Sequence, residues 1–203
     1  MKTRLFLLPA FILLFSCTNS VNEKDNKIDF FPDDISGFQE ERLVFEIKAG
    51  FSECGEWGGH KEKMFITARK DKEFYLKYEL WCANCDSLIE HNDSLGTYTA
   101  PLMNLVDSST IRLNNKHKEA VRKFTQDLVE AKFREIFPGH AGNSFEAYKY
   151  RGYGGTSLKI QVYGFDPRIL SDYIALLKTL KLSQEEKNSC VKYYTIEEIE
   201  SDE

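Results

Sequence analysis

Apolar and polar residues alternate with a period of two in three successive segments, and this pattern restricts the chain more than any other. In Arg42 to Ala49, the residues Phe45, Ile47 and Ala49 fall on one side and Glu46 and Lys48 on the other. Lys63 to Arg69 repeats the pattern with Met64, Ile66 and Ala68, and Glu73 to Trp81 with Phe74, Leu76, Tyr78 and Leu80. A strand turns successive side chains to opposite faces, so each segment predicts a strand with one buried face. Lys70-Asp71-Lys72 is short and charged, which predicts a hairpin between the second and third strands. The link from the first to the second strand, Gly50 to Glu62, is longer and rich in glycine.

Further along, Ser144 to Arg151 and Thr156 to Tyr163 alternate again. Gly152-Tyr153-Gly154-Gly155 joins them and predicts a second hairpin. Two segments carry helical spacing instead. His117 to Ile136 places Val121, Phe124, Leu128, Val129, Phe133 and Ile136 on one stripe, ended by Phe137-Pro138-Gly139. Asp166 is a capping residue followed by Pro167 in the first turn, and Ile169, Leu170, Tyr173, Ile174, Leu177 and Leu180 form the apolar stripe behind them. Lys178 and Lys181 suit its negative end. Residues 83–116, with Pro101 and many Ser, Thr and Asn, predict irregular chain with short helical turns at most. No strand-helix-strand alternation is present. The fold class is therefore α+β: an antiparallel β-meander and a second β-hairpin packed with two amphipathic helices. Residues 41–182 make one domain, and 183–203 an acidic C-terminal tail.

A hydrophobic content of 42% and 13% aromatics in 203 residues supply one core of ordinary size and exclude disorder throughout. A net charge of -5 argues against nucleic acid as a partner, because phosphates require a basic face.

The N-terminus carries an address. Lys2 and Arg4 precede an unbroken apolar run, Leu5 to Phe15. As a helix, its 11 residues span roughly 16 Å, about half of a bilayer's hydrocarbon core, so the run is too short to cross. A charged start, a short apolar stretch and a small residue is the layout of a secretory signal. Leu14-Phe15-Ser16-Cys17 then resembles the lipobox of bacterial lipoprotein precursors. The resemblance implies a signal peptide over 1–16, removed just before Cys17, and a Cys17 that carries a diacylglyceryl group and a further acyl chain such as palmitate. Two or more chains give stable anchoring. By resemblance to known sorting rules, Thr18 beside Cys17 implies the outer membrane, facing the periplasm. Residues 17–40 become a lipidated N-terminus and flexible tether, in which 29–38 docks loosely on the domain. Some twenty flexible residues reach about 25 Å. Loss of Lys2 and Arg4 leaves 25 basic and 32 acidic side chains, a charge of -7. The acyl chains, rather than attraction to anionic lipid, would hold the protein at the surface.

Four more cysteines are candidates for chemistry: Cys54, Cys82, Cys85 and Cys190. The meander returns the end of the third strand to the loop that follows the first, so Cys54, His60, Cys82 and Cys85 share one end of the sheet. Three readings follow. In an oxidising compartment the cysteines form disulfides, with Cys54 bonded to Cys82 or Cys85 and Cys190 free or bonded to the remaining one. As a zinc module, Cys54, His60, Cys82 and Cys85 supply a tetrahedral set. As a redox site, Trp81-Cys82-Ala83-Asn84-Cys85 resembles the Trp-Cys-x-x-Cys motif of thioredoxin-like proteins. That resemblance implies a periplasmic thiol-disulfide oxidoreductase in which Cys82 attacks and Cys85 resolves.

The loop Glu53 to His60 holds glycines, two carboxylates, Trp57 and His60. It reads either as a ligand pocket or as a tight turn in which Trp57 anchors the loop and His60 is solvated. Tyr153 and Tyr163 are further contact candidates, and His91, His117 and His140 are exposed or capping. No phosphate loop or serine nucleophile elbow is present, and no acidic pair can be assigned to catalysis. The sequence thus points to a membrane-anchored envelope lipoprotein serving as a non-catalytic binding or structural module. It has no cofactor unless it is the zinc module, and its partner is an envelope protein or a small ligand.

Overall fold

A computed structural model of the chain describes residues 31, 41–52, 54, 59–69, 73–93, 96–134, 142–150, 155–164, 166–182 and 190–191. Six strands and two helices follow one another as β1 (Arg42–Gly50), β2 (Lys61–Ala68), β3 (Phe74–Asp93), β4 (Gly96–Arg112), α1 (Asn115–Arg134), β5 (Ser144–Tyr150), β6 (Thr156–Tyr163) and α2 (Pro167–Leu180). The strands form one sheet in the order β4-β3-β2-β1-β5-β6, each pair antiparallel. The architecture is α+β.

Alternation sets the register. Phe45, Ile47 and Ala49 lie across from Ile66, Met64 and Glu62. Met64, Ile66 and Ala68 lie across from Tyr78, Leu76 and Phe74. The meander and the second hairpin join into a single sheet because β1 also pairs with β5, with Ile47 across from Ala147 and Ala49 across from Phe145. The residues of this face are buried. Gly50 sits where that pairing brings the chains close: a Cβ there would stand 2.8 Å from Ser144 Oγ.

Val121, Phe124 and Leu128 of α1 and Ile169, Leu170, Tyr173, Leu177 and Leu180 of α2 are buried with the same face. Phe133, expected in the stripe of α1, is instead 87% exposed in the last turn of the helix, and Ile136 lies outside the described residues. Phe124 of α1 and Tyr173 of α2 stand with ring centroids 5.5 Å apart, and Phe145 lies 6.3 Å from the first and 5.4 Å from the second. The backbone N–H of His117 donates to Asn114 Oδ1 at 2.9 Å, which caps α1 two residues earlier than its apolar spacing indicates. Asp166 caps α2 by accepting from the N–H of Arg168, with Pro167 in the first turn. The last turn closes on Lys181 at φ 58°, and the N–H of Leu182 reaches Leu177 O at 2.9 Å.

Two expectations need correction. Residues 83–93 and 96–112 are not irregular; they form the outer half of β3 and all of β4. Pro101 is tolerated because β4 is an edge strand, where a missing N–H need not break a ladder on both sides. The 183–203 tail is not wholly separate, since Val191 is buried in the core beside Cys190. Within the expected tether, Phe31 is buried and sets its ring edge-on to Phe74 at 5.3 Å, with Lys118 and Arg122 over it. Among the described residues no helix is long and apolar enough to cross a membrane.

Candidate functional site: a braced hairpin arm

β2 pairs with β3 only as far as Trp81. Beyond that point β3 and β4 have only each other: Cys82 lies across from Asn104, Asn84 from Leu102, Ile89 from Ala100 and Asp93 from Gly96. The result is a two-stranded arm that outruns the sheet by roughly 30 Å on the β4 side, at about 3.4 Å per residue. A long two-stranded ribbon is marginal by itself. This one is braced where it leaves the sheet. Cys54, in the loop after β1, stands at disulfide distance from Cys85, with Cα atoms 5.3 Å apart. Cys82 stands at disulfide distance from Cys190, with Cα atoms 6.0 Å apart. The ladder shifts register between Asn84 and Leu88, next to these cysteines. There Asn84 Oδ1 accepts the N–H of Asp86 at 3.2 Å, and Asn84 Nδ2 donates to Ser87 Oγ at 3.0 Å.

Of the eight exposed large hydrophobic side chains among the described residues, six lie on this hairpin: Leu88, Ile89, Tyr98, Leu102, Leu105 and Val106, at 38–51% exposure. From Gly96 to Val106, β4 has no charged residue. An uncharged, apolar edge strand is the kind of surface that soluble proteins normally blunt.

The other candidate residues divide as follows. His60 is not solvated. It is 1% exposed, its ring stacks on Phe51 at 4.1 Å, and its Nε2 lies 3.4 Å from Glu62 Oε1. Glu62 has its side chain fully buried, and its Oε2 accepts from Tyr78 at 2.8 Å and from Tyr173 at 3.0 Å. This quartet ties β2, β3 and α2 together inside the core, where it has no surface for a substrate. Sequence reading missed Glu62 and Tyr173 as partners. The signal was the parity of Glu62 with Met64, which puts a carboxyl on the buried face. Because His60 is held in this quartet, it does not join the cysteines. Among the described residues no three His, Cys, Asp or Glu side chains form a group able to hold a metal ion. Cys82 and Cys85 lie on a strand, each facing a different cysteine, rather than paired with one another at a helix N-terminus. His117 sits in the capping turn of α1. Cys17, Trp57, Tyr153 and His140 lie outside the described residues, as does the side chain of His91.

Tyr163 belongs to the sheet face opposite the helices, where side chains bind one another. Tyr150 donates to Glu46 at 2.5 Å, Tyr148 donates to Glu146, and Gln161 bridges Glu146 and Tyr163. Lys48 and Lys159 both lie over the Tyr148 ring, Lys63 over Trp81, and Arg69 over Tyr75 at 3.9 Å. Burial, then the hydrogen bond to Glu46 and its charge, push the Tyr150 hydroxyl up to about 12. The same causes, with Glu146 as the bonded partner, push Tyr148 higher still. Glu79 is held below the usual carboxylate range, first by its hydrogen bond with Lys77. The aromatic faces carry cations and the hydroxyls reach carboxylates, so an incoming ligand would have to displace contacts already made. A groove of about 370 Å³ along α2, lined by Pro167, Leu170, Ser171, Ile174, Ala175 and Lys178, brings together no catalytic set. The arm is therefore the strongest functional feature. No family model matches the chain, and no curated protein matches it.

Proposed function

We propose that the protein is a lipid-anchored component of a bacterial envelope whose folded body presents the β3–β4 arm as a non-catalytic protein-binding element. The observation that carries this reading is the collection of six exposed apolar side chains on one braced hairpin. A binding arm gains from rigidity, because ordering it on contact otherwise opposes association. Two cysteine pairs at its root supply that rigidity. The same pairs suit an oxidising compartment, which agrees with export and anchoring through Cys17. The buried quartet and the self-bonded outer face support the reading by giving alternative sites little free chemistry.

The test uses the full chain in its native cell, with labelled palmitate and with a photoreactive side chain in place of Leu102. Label should enter the membrane fraction and disappear with Cys17→Ala. Irradiation at position 102 should give adducts that irradiation at Ser171, on the exposed side of α2, does not. A soluble product that keeps Met1 overturns the anchor. Equal yields at 102 and 171 overturn the arm.

A further inference from the structure

We infer that the arm's partner is a second copy of this chain, joined through β4 in antiparallel pairing about a two-fold axis at Leu102. The inference rests on the arm being the binding element and names what it binds. β4 is the outermost strand on its side of the sheet, with β3 as its one neighbour in the sheet order. An edge strand turns alternate backbone N–H and C=O groups outward, and a second edge strand satisfies them. A strand paired with its own copy is self-complementary in any two-fold arrangement, so no separate partner surface has to be supposed.

Charge favours a copy docking here. Two mature chains of net -7 repel one another generally, yet Gly96 to Val106 carries no charge to oppose its equivalent. An axis at Leu102 sets Leu102 beside Leu102, and the Val106 of each copy across from the Tyr98 of the other. These residues are 39%, 46% and 51% exposed. Aromatic with β-branched is a favourable cross-strand pair. The first charged residue reached, Asp107, falls opposite Thr97, so no like charges meet. Pro101 has no N–H to give, so one bond is forgone in each half and side chains carry more of the contact. The four exposed side chains of β4, Tyr98, Leu102, Leu105 and Val106, hold on the order of 350 Å² per copy, and twice that is the area of a weak, concentration-dependent interface.

Sedimentation equilibrium on the purified full chain, run across a concentration series, tests this. The wild type should sediment at twice the monomer mass. Leu102→Lys and Leu102→Glu should each weaken association at least 10-fold by placing like charges side by side at the axis, with unchanged circular dichroism. An equimolar mixture of the two should recover the dimer. A monomeric wild type overturns the inference, as does a dimer indifferent to both substitutions or a mixture that stays monomeric. The photo-adduct at position 102 separates the two levels of the argument. An adduct of this chain with itself supports both. An adduct with only another protein overturns self-association and leaves the binding arm standing. No adduct overturns both.

Discussion

Tyr173→Phe removes one oxygen from the middle of the protein, and its effect can be worked from the quartet around Glu62. The side chain of Glu62 is fully buried and Tyr173 is 0% exposed, and the hydroxyl donates to Glu62 Oε2 at 3.0 Å. Removing the oxygen keeps the ring, so little cavity forms. The loss is one hydrogen bond to a buried carboxyl, about 1–3 kcal/mol. Tyr78→Phe removes the other donor to the same oxygen, at 2.8 Å, and should act similarly. Glu62→Leu is harsher. It takes the shared acceptor from two hydroxyls in a place without solvent, at about 1–3 kcal/mol for each. The triple change Glu62→Leu, Tyr78→Phe, Tyr173→Phe then makes a sharp prediction. With acceptor and both donors replaced by apolar groups, at least half of the Glu62→Leu loss should return. His60, 3.4 Å from the carboxyl, limits the recovery. Urea unfolding followed by circular dichroism, with disulfides intact, measures each step, and equal slopes would show that midpoint changes report stability. If Tyr173→Phe stays within about 0.5 kcal/mol of wild type, or the triple variant is no more stable than Glu62→Leu alone, the quartet does not hold the core in the way described.

Two further outcomes follow from other parts of the structure. The Cys82–Cys190 pair closes a span of 108 residues and the Cys54–Cys85 pair one of 31. In the chain-entropy account, removing them costs about 4.7 and 3.7 kcal/mol respectively. Double alanine variants in denaturant should keep that order, and a reversed order would refute it. Tyr150 ionises near 12 in the folded chain, above the ~10 of an unfolded tyrosine, because burial and the Glu46 contact favour the neutral hydroxyl. Its contribution to stability is thus complete below about pH 10 and is lost as pH climbs through 12. An absorbance titration of the phenolates should lose a late-ionising component in Tyr150→Phe, and an unchanged curve would contradict the assignment.

Much of the architecture is visible in local pattern. Phe45-Ile47-Ala49, Met64-Ile66-Ala68 and Phe74-Leu76-Tyr78-Leu80 name their own buried face, and Asp166-Pro167 marks the start of α2 before any coordinate is known. The arm was not legible for a specific reason. Its ladder shifts register beside Cys85, its β4 strand contains Pro101, and both arm strands mix exposed apolar with small polar residues. Alternation records burial on one side, and a ribbon exposed on both sides along most of its length, Pro101 apart, has no such record. Thr97, Tyr98, Thr99, Val106, Thr110 and Ile111 were the available signal, because β-branched and aromatic residues favour extended chain. The cysteines show the same division. Meander topology brought Cys54, Cys82 and Cys85 to one end of the sheet but left Cys54 with two partners, and Cys85 takes it while Cys82 faces Cys190.

Period-two spacing, helix caps and the N-terminal run are local properties. They decide strand faces, helix limits and the expected address at Cys17, because each depends on neighbours within a few bonds. Pairing across 111 residues from Glu62 to Tyr173, the union of two hairpins through β1 and β5, and the bracing of an arm by a distant C-terminal cysteine are not local. They depend on which surfaces meet once the chain has closed on itself. Long-range contacts of that kind leave no periodic trace in the residues that make them, so only the packed structure could decide them.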